Sequence, residues 1–165
     1  MPGFQCVRNG LVRQKIFPKT QKRDGLRRCA ASAQRENKKR AVFLDRDGVI
    51  NHVLRDEKGT PLLRPDGLPL TARTFAQFKL IENVSEALSQ FRSLNFLNII
   101  VTNQPDLARG FVTKEEVQTM HEFIKSQLPI DDIFLCPHDN HHNCSCRKPK
   151  PGMILQAAQK WQIDL

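Results

Sequence analysis

The sequence predicts an α/β protein with a three-layer arrangement around a parallel sheet. Three short apolar runs, at about residues 41–45, 97–101 and 133–135, have the composition of buried strands. Amphipathic helical patterns follow these strands, and such strand–helix alternation implies parallel pairing with right-handed crossovers. Polar side chains come directly after each run. We therefore expect these side chains to meet at the carboxyl edge of the sheet, where open parallel sheets place their ligands.

Charge divides the chain into two parts. Residues 1–40 hold 12 Lys and Arg against two acids, for a net charge of +10, and show no sustained helical or strand period. Residues 41–165 hold 14 basic and 15 acidic residues, for a net charge of −1. We expect residues 1–40 to be a basic, disordered extension and residues 41–165 to form one domain. A nucleic-acid partner is disfavoured, because the positive charge does not belong to the folded part.

The composition also bears on the compartment and the partners. No apolar run approaches the roughly 20 residues that a membrane helix needs, and the start lacks the hydrophobic core of a secretory signal. We expect a cytoplasmic protein without a membrane partner; targeting to an organelle by the Arg-rich, Ser-poor residues 1–40 is the alternative. The oligomeric state is left open, with a monomer as the default expectation.

The first strand is followed by turns and then by a helix. Residues 52–80 are rich in Pro and Gly, which predicts turns and a hairpin-like flap beside the end of the first strand. Such a flap could take part in choosing the substrate, or form a plain surface excursion. Apolar residues then recur at helical spacing from residue 83 to residue 94.

Two further helices follow the second and third strands. Thr113 and Glu116 form the pattern of a capping box, which predicts a helix that begins just after Thr113. Pro151 is expected at the start of the last helix, and a new strand is expected near residues 163–165. The predicted inner face of the first of these helices consists of Val117, Met120, His121, Ile124 and Leu128. The apolar residues expected in the last helix are Ile154, Leu155, Ala158 and Trp161.

Chemistry-bearing side chains stand at three strand ends. Asp45 and Asp47 are two residues apart, so in an extended segment both carboxylates project to the same side. Such a pair suits the binding of one Mg²⁺, and one carboxylate can act as a nucleophile while the other handles a proton. The other two strand ends supply phosphate-binding donors and fixed cations, which are Thr102 with Asn103 and Arg147 with Lys148.

A segment rich in cysteine and histidine lies between the third strand and the last helix. Five cysteines without the spacing of a disulfide framework favour metal binding by the three that crowd together here. Three thiolates and one imidazole satisfy a closed tetrahedral Zn²⁺ site, which is structural because no coordination position stays open. Cys136, Cys144 and Cys146 are the predicted thiolate ligands, and the imidazole comes from His138, His141 or His142.

These motifs together resemble the haloacid-dehalogenase (HAD) superfamily of phosphatases, over roughly residues 41–165. The resemblance is strongest to the branch of the heptose 1,7-bisphosphate and histidinol-phosphate phosphatases. It implies a Rossmann-like fold with a minimal cap and hydrolysis of a small phosphorylated metabolite through an aspartyl-phosphate. The stretches that carry it are DRDGVIN at 45–51, VTNQ at 101–104, CPH at 136–138 and CSCRKPKPGM at 144–153.

The resemblance assigns a role to each site residue. Asp45 is implied to be the nucleophile and Asp47 the general acid and then base, with Mg²⁺ held by Asp45 and by the backbone carbonyl of Asp47. The family pattern favours His138 as the fourth zinc ligand, and Arg109 is a further candidate for the site. Thr102 and Asn103 are implied to bind the phosphoryl group, Lys148 to stabilise its charge and Arg147 to orient the substrate.

The sequence departs from the family pattern at its last residues. Phosphatases of this superfamily carry a fourth, acidic motif after the next strand, and Asp164 lies too early to be that motif. We therefore expect this chain to bind Mg²⁺ weakly, to be marginally folded and to turn over slowly or not at all. A sugar bisphosphate is the expected substrate, histidinol phosphate is the alternative, and a catalytically inactive, zinc-stapled binding module is the alternative from another class.

Overall fold

The protein is described by a computed structural model that covers residues 38–165. Of the extension predicted to be disordered, residues 1–40, residues 1–37 lie outside the described residues, whereas Lys39 pairs with Ile163 and Arg40 begins the first strand. Within the described residues, three strands and three helices alternate, with two short 3₁₀ turns at Phe75–Gln77 and Asn140–His142. In chain order the elements are β1 (Arg40–Leu44), α1 (Val84–Ser93), β2 (Phe96–Asn103), α2 (Lys114–Gln127), β3 (Asp132–Cys136) and α3 (Gly152–Trp161).

The sheet is parallel, as the alternation of strands and helices predicted. Its strand order is β1-β2-β3, with Leu44 beside Ile100 and Asn103 beside Cys136. This register brings the carboxyl ends of the three strands to one edge. The residues that follow β1, β2 and β3 are therefore neighbours in space although they are far apart in sequence.

Two hydrophobic clusters lie on opposite faces of the sheet and confirm the three-layer arrangement. Ile100 belongs to the cluster that includes Leu88 of α1 and Met120 of α2. Ile99 belongs to the other cluster, which includes Met153 of α3. Successive residues of β2 point to opposite faces, so the strand is buried on both sides by the helices.

The predicted helices form, and the predicted capping box is half present. All five residues predicted on the inner face of α2 are buried, and the Oγ of Thr113 accepts a hydrogen bond from the backbone N–H of Glu116. The Glu116 carboxylate accepts from the backbone N–H of Phe75 (2.7 Å) instead of completing a capping box, because the chain at Phe75 packs against α2. In α3 the buried residues are Met153 and Ala157, and Leu155 is 54% exposed.

Residues 52–80 form the predicted flap. Isolated antiparallel bridges join Arg55 to Pro61 and Leu63 to Pro69, and the backbone N–H of Leu54 donates to the carbonyl of Leu70. Buried Phe78 fastens the segment to the core. The flap therefore lies directly after the end of β1.

The last residues pair with the outer edge of β1. Ile163 forms a parallel bridge with Lys39, whose backbone N–H and carbonyl bond to Gln162 and Asp164. This pairing agrees with the strand expected near residues 163–165. Within residues 38–165, no helix has the length and apolar character needed to cross a membrane.

Candidate active site

Asp45 presents a carboxylate at the carboxyl end of β1. Its side chain is 48% exposed, and its Oδ1 accepts a hydrogen bond from the Arg46 backbone N–H at 2.8 Å and pairs with the Lys148 Nζ at 2.9 Å. It opens onto a recess of about 230 Å³. The charged side chains that line this recess are Asp45, Asp47, Arg64, Arg147 and Lys148.

Asn103 positions Lys148 across the sheet edge. The Oδ1 of Asn103 accepts from the Lys148 backbone N–H at 3.0 Å, and its Nδ2 donates to the Lys148 carbonyl at 3.2 Å. The Lys148 Nζ also donates to the carbonyl of Val101 at 2.9 Å. These contacts hold the ammonium group beside Asp45, which is the position that stabilises negative charge on that carboxylate and on a bound phosphoryl group.

Asp47 is held by three side chains. Its Oδ1 accepts from Asn51 Nδ2 at 3.0 Å, its Oδ2 accepts from Gln104 Nε2 at 2.7 Å, and Arg46 Nη2 lies 3.1 Å from both oxygens. The side chain is only 13% exposed. The carboxylate therefore has a defined orientation, as a group that exchanges a proton with a bound substrate requires.

Arg46 is a buried cation that the sequence reasoning did not assign. It is fully buried, pairs with Asp47 and lies 3.4 Å from the Nε2 of His121 through its Nη1. A buried guanidinium needs a charged partner, so Arg46 and Asp47 stabilise each other. The signal available in the sequence was a basic residue between two carboxylates at the end of a buried strand.

Thr102 is linked to Asp47 through Gln104. It is fully buried, and its Oγ1 accepts a hydrogen bond at 2.9 Å from Gln104, the same side chain that donates to Asp47. The structure thus brings Thr102 close to the site through Gln104, a residue that the sequence reasoning did not assign. Direct binding of a phosphoryl group by Thr102 stays a prediction.

Arg147 and Arg109 lie in different surroundings. Arg147 lines the recess, and its guanidinium donates to Asn140 Oδ1 at 2.7 Å and to the His138 carbonyl at 3.1 Å. Arg109 lines a neighbouring cavity and pairs with Asp139 at 2.6 Å. This pair raises the pKa of Arg109 and holds the pKa of Asp139 well below its usual range.

Four of the predicted zinc ligands converge after β3. The ligand atoms of Cys136, His138, Cys144 and Cys146 all lie within 4.8 Å of one another, and the sulfur atoms are 3.2–3.6 Å apart. Tetrahedral ligands at about 2.1–2.3 Å from Zn²⁺ stand about 3.5–3.8 Å apart, so the donor set fits this ion. Among the three candidate histidines, the geometry selects His138.

The thiols of the cluster have unequal proton affinities. Burial, together with bonds to the neighbouring sulfurs, raises the pKa of Cys146 to about 12. Burial acts in the same direction on Cys144, but hydrogen bonds from Cys146 and from the Arg147 backbone outweigh it and lower the pKa of Cys144 to about 6. Because neighbouring thiolates repel each other, sulfurs this close favour a single negative charge that they share. A cation bound between them would offset the repulsion and favour ionisation of all three thiols.

Gly152 allows α3 to begin against the cysteine-containing loop. Its backbone N–H donates to the Ser145 carbonyl at 3.2 Å. A Cβ at this position would collide with that carbonyl oxygen and lie 2.8 Å from the Ser145 carbonyl carbon and 2.9 Å from the Cys146 Cα. These are backbone atoms, which cannot move without moving Cys146.

Gly152→Ala should therefore destabilise the protein, although alanine normally stabilises a helix relative to glycine by about 1 kcal/mol. We expect the free energy of unfolding to fall by about 1–3 kcal/mol, because the methyl group overpacks a backbone contact. Urea unfolding measures this, with Gln156→Ala on the exposed face of α3 as the control. If Gly152→Ala were as stable as Gln156→Ala, the predicted collision of a Cβ at position 152 with the Ser145 backbone would be refuted.

Burial lowers the pKa of His121 from the ordinary value of 6.5 to about 4, and the neighbouring Arg46 acts in the same direction. Between these two values the unfolded chain binds a proton at His121 and the folded chain does not. The free energy of unfolding should therefore be fully retained above about pH 6.5 and fall by about 2–3 kcal/mol as the pH drops toward 4. Urea unfolding at several pH values between 4 and 6.5 tests this. The free energy of unfolding of His121→Gln should fall less toward pH 4 than that of the parent protein, since any contribution from the cysteine cluster is the same in both. Identical pH profiles would refute the assignment.

Comparison with known proteins places this geometry in a family. The chain is 33% identical over 135 residues to D-glycero-beta-D-manno-heptose-1,7-bisphosphate 7-phosphatase of Helicobacter pylori, covering 78% of this chain and 69% of the relative. It is 34% identical to the D-glycero-alpha-D-manno-heptose-1,7-bisphosphate 7-phosphatase of Campylobacter jejuni, covering 78% and 67%. The chain belongs to the heptose-bisphosphate phosphatase family of HAD phosphatases.

Solved structures agree with this membership. The D,D-heptose 1,7-bisphosphate phosphatase of B. bronchiseptica, complexed with magnesium and phosphate, matches with a TM-score of 0.60 and 26% identity over 76% of this chain and 65% of that one. A HAD-like protein from Mesorhizobium loti, at 24% identity and a TM-score of 0.56, supports the fold alone. No family model matches the chain. The chain spans about two thirds of the length of these relatives. The resemblance seen in the sequence is thus confirmed, and the roles of individual residues stay predictions.

Proposed function

We propose that this member of the heptose-bisphosphate phosphatase family hydrolyses one phosphomonoester of a sugar bisphosphate through an aspartyl-phosphate on Asp45. The observation that carries the proposal is the half-exposed Asp45 carboxylate, paired with Lys148 in a recess that Arg147 also lines. A carboxylate of this kind can attack phosphorus, and the two cations can stabilise the charge of the transferring group. The names of the relatives give the substrate class, a heptose 1,7-bisphosphate cleaved at position 7.

The reaction has two steps. An Asp45 carboxylate oxygen forms a bond to phosphorus, the bond from phosphorus to the sugar oxygen breaks, and Asp47 donates a proton to that oxygen. A water molecule then attacks the same phosphorus, Asp47 takes its proton, and the acyl-phosphate bond breaks to release inorganic phosphate and Asp45. Asn51, Gln104 and Arg46 orient Asp47 for both transfers.

The site fits a magnesium ion. The exposed carboxylate of Asp45 is a hard oxygen ligand, and the Asp47 carboxylate is already occupied by three side-chain donors, which favours the Asp47 backbone carbonyl as the second protein ligand. When bound, Mg²⁺ supplies positive charge against the phosphoryl oxygens. The magnesium and phosphate in the B. bronchiseptica enzyme support this assignment.

The four-residue cysteine and histidine cluster fits a structural Zn²⁺. All four tetrahedral positions would be filled by protein, so no position stays open for substrate. The cluster also holds Arg147, because the guanidinium donates to the His138 carbonyl and Arg147 follows Cys146 directly. Its function is to fix the direction of the Arg147 and Lys148 side chains toward the recess.

Phosphate release tests the proposed function. The protein is incubated with D-glycero-D-manno-heptose 1,7-bisphosphate or with histidinol phosphate, with and without added magnesium chloride. We expect slow, magnesium-dependent release of one phosphate per heptose bisphosphate, and still slower release from histidinol phosphate. Faster phosphate release from histidinol phosphate would instead identify histidinol phosphate as the substrate. Release from neither, together with failure to form a magnesium-dependent complex with beryllium fluoride, would identify an inactive binding module.

A further inference from the structure

A second cavity adjoins the reaction recess. It measures about 510 Å³, against about 230 Å³ for the recess that contains Asp45. Its walls combine apolar side chains, including Leu70 and Phe111, with three guanidinium groups and one carboxylate. A guanidinium in such a wall can bind an anionic ligand when its own carboxylate partner can be displaced. The charged residues of the wall are Arg64, Asp66, Arg73 and Arg109.

Arg73 and Arg109 are fixed by carboxylates. The Arg73 Nε donates to Asp106 at 2.8 Å, and Arg109 lies 3.6 Å from the same carboxylate, which is only 7% exposed. The Arg73 guanidinium also lies over the Phe111 ring, 4.3 Å from its centre. Both arginines neutralise the buried Asp106 carboxylate, so they are structural parts of the cavity wall.

Arg64 lies in different surroundings. It lines both the recess and the second cavity, and its side chain is 14% exposed. Its partner is Asp66, two residues away on the same turn of the flap, at 2.9 Å and 3.1 Å. Asp66 is 48% exposed, so water competes for its carboxylate and weakens its hold on Arg64. The Arg64 guanidinium can therefore exchange Asp66 for a phosphate, which it can bind through two parallel hydrogen bonds.

We propose that Arg64 binds the phosphate of the bisphosphate substrate that is not hydrolysed. This inference rests on the proposed function and adds the residue that recognises the second phosphate. One phosphate occupies the recess beside Asp45, Lys148 and Arg147, and the sugar extends toward the second cavity. Arg64 stands where the two spaces meet, so the flap formed by residues 52–80 selects substrates with a phosphate at both ends.

Binding measurements test this without relying on turnover. In an Asp45→Asn background, isothermal titration compares heptose 1,7-bisphosphate with heptose 7-phosphate, which lacks the distal phosphate. We expect the bisphosphate to bind about 10- to 100-fold more tightly, the range typical of hydrogen bonds to a charged group. Arg64→Met retains the apolar stem of the side chain. In this variant the affinity ratio, which is the affinity for the bisphosphate divided by that for the monophosphate, should fall close to one, while the affinity for the monophosphate stays the same. Arg55→Met is the matched control, since Arg55 is an exposed arginine of the same flap that donates to the Gly59 carbonyl.

Turnover gives a second, independent readout. In the otherwise unmodified protein, Arg64→Met should raise the KM for the bisphosphate about 10- to 100-fold and raise it more than the KM for p-nitrophenyl phosphate, a selective effect that a general loss of structure would not give. An undiminished affinity ratio in Arg64→Met, or a ratio of one in the Asp45→Asn background itself, would overturn the proposal. A third outcome separates the two proposals. If Arg64→Met brings the affinity ratio to one but the otherwise unmodified protein releases no phosphate, the proposed function is overturned and Arg64 is retained as the anion-binding residue.

Discussion

Asp45→Asn is expected to reduce phosphate release from heptose 1,7-bisphosphate by about 10³-fold or more, the scale seen when a nucleophile is removed. The amide has no charged oxygen to attack phosphorus, while its size and hydrogen bonding are close to those of the carboxylate. The protein should remain folded, because the Asp45 side chain is 48% exposed and makes its contacts at the surface of the sheet edge. Steady-state phosphate release and thermal unfolding, measured on the same preparation, check both parts.

Glu57→Gln serves as the control for Asp45→Asn. Glu57 is an exposed carboxylate of the flap, and its neutralisation removes one negative charge without touching the recess. It should leave turnover unchanged. The magnesium-dependent complex with beryllium fluoride should form in Glu57→Gln and be lost in Asp45→Asn. Substantial turnover by Asp45→Asn would show that Asp45 is not the nucleophile. Asp47 would then be the remaining carboxylate of the site that could act as one.

Cys144→Ser is expected to lower the zinc content from about one ion per chain and to weaken the binding of inorganic phosphate. The serine hydroxyl is a poor Zn²⁺ ligand, so the loop that carries Arg147 and Lys148 loses its cross-link to the end of β3. Because the two cations would then be less well oriented, we expect phosphate affinity to fall about 10- to 100-fold, the range seen when residues that support a metal site are altered. Elemental analysis gives the zinc content, and titration calorimetry gives the phosphate affinity.

Ser145→Ala is the matched control for Cys144→Ser. Ser145 lies in the same loop between two proposed ligands, and its side chain is exposed. Its carbonyl, which accepts from Gly152, is unaffected by the substitution. Zinc content and phosphate affinity should stay at the level of the parent protein. If Cys144→Ser also kept both values, the cluster would have no part in positioning the two cations.

The cysteine and histidine cluster shows how much of a site residue spacing alone can predict. Three cysteines and a histidine within eleven residues predicted a metal site, because a loop of that length can bring four ligands together without help from the rest of the chain. Which histidine takes part was not determined by spacing. The structure selects His138 because its Nδ1 lies 3.3 Å from the Cys146 sulfur, whereas the Nδ1 of His142 accepts a hydrogen bond from the Asp139 backbone N–H.

The sequence by itself determined the strands, the helices and the main chemical groups. Apolar runs that end in polar residues are local patterns, and parallel pairing follows from their alternation with helices. Asp45 and Lys148, predicted from two different strand ends, are 2.9 Å apart for this reason. The family motif added their roles, which residue spacing alone does not specify.

The tertiary structure decided which side chains support these groups. Arg46 and Gln104 hold Asp47, and Arg64 reaches the recess from a flap whose Pro and Gly content predicted only turns. Such contacts depend on how a loop folds over the sheet edge, and no period or spacing in the sequence encodes them. The physical reason is that a strand repeats every two residues and a helix every 3.6, whereas a loop's direction is set by the side chains it finally packs against.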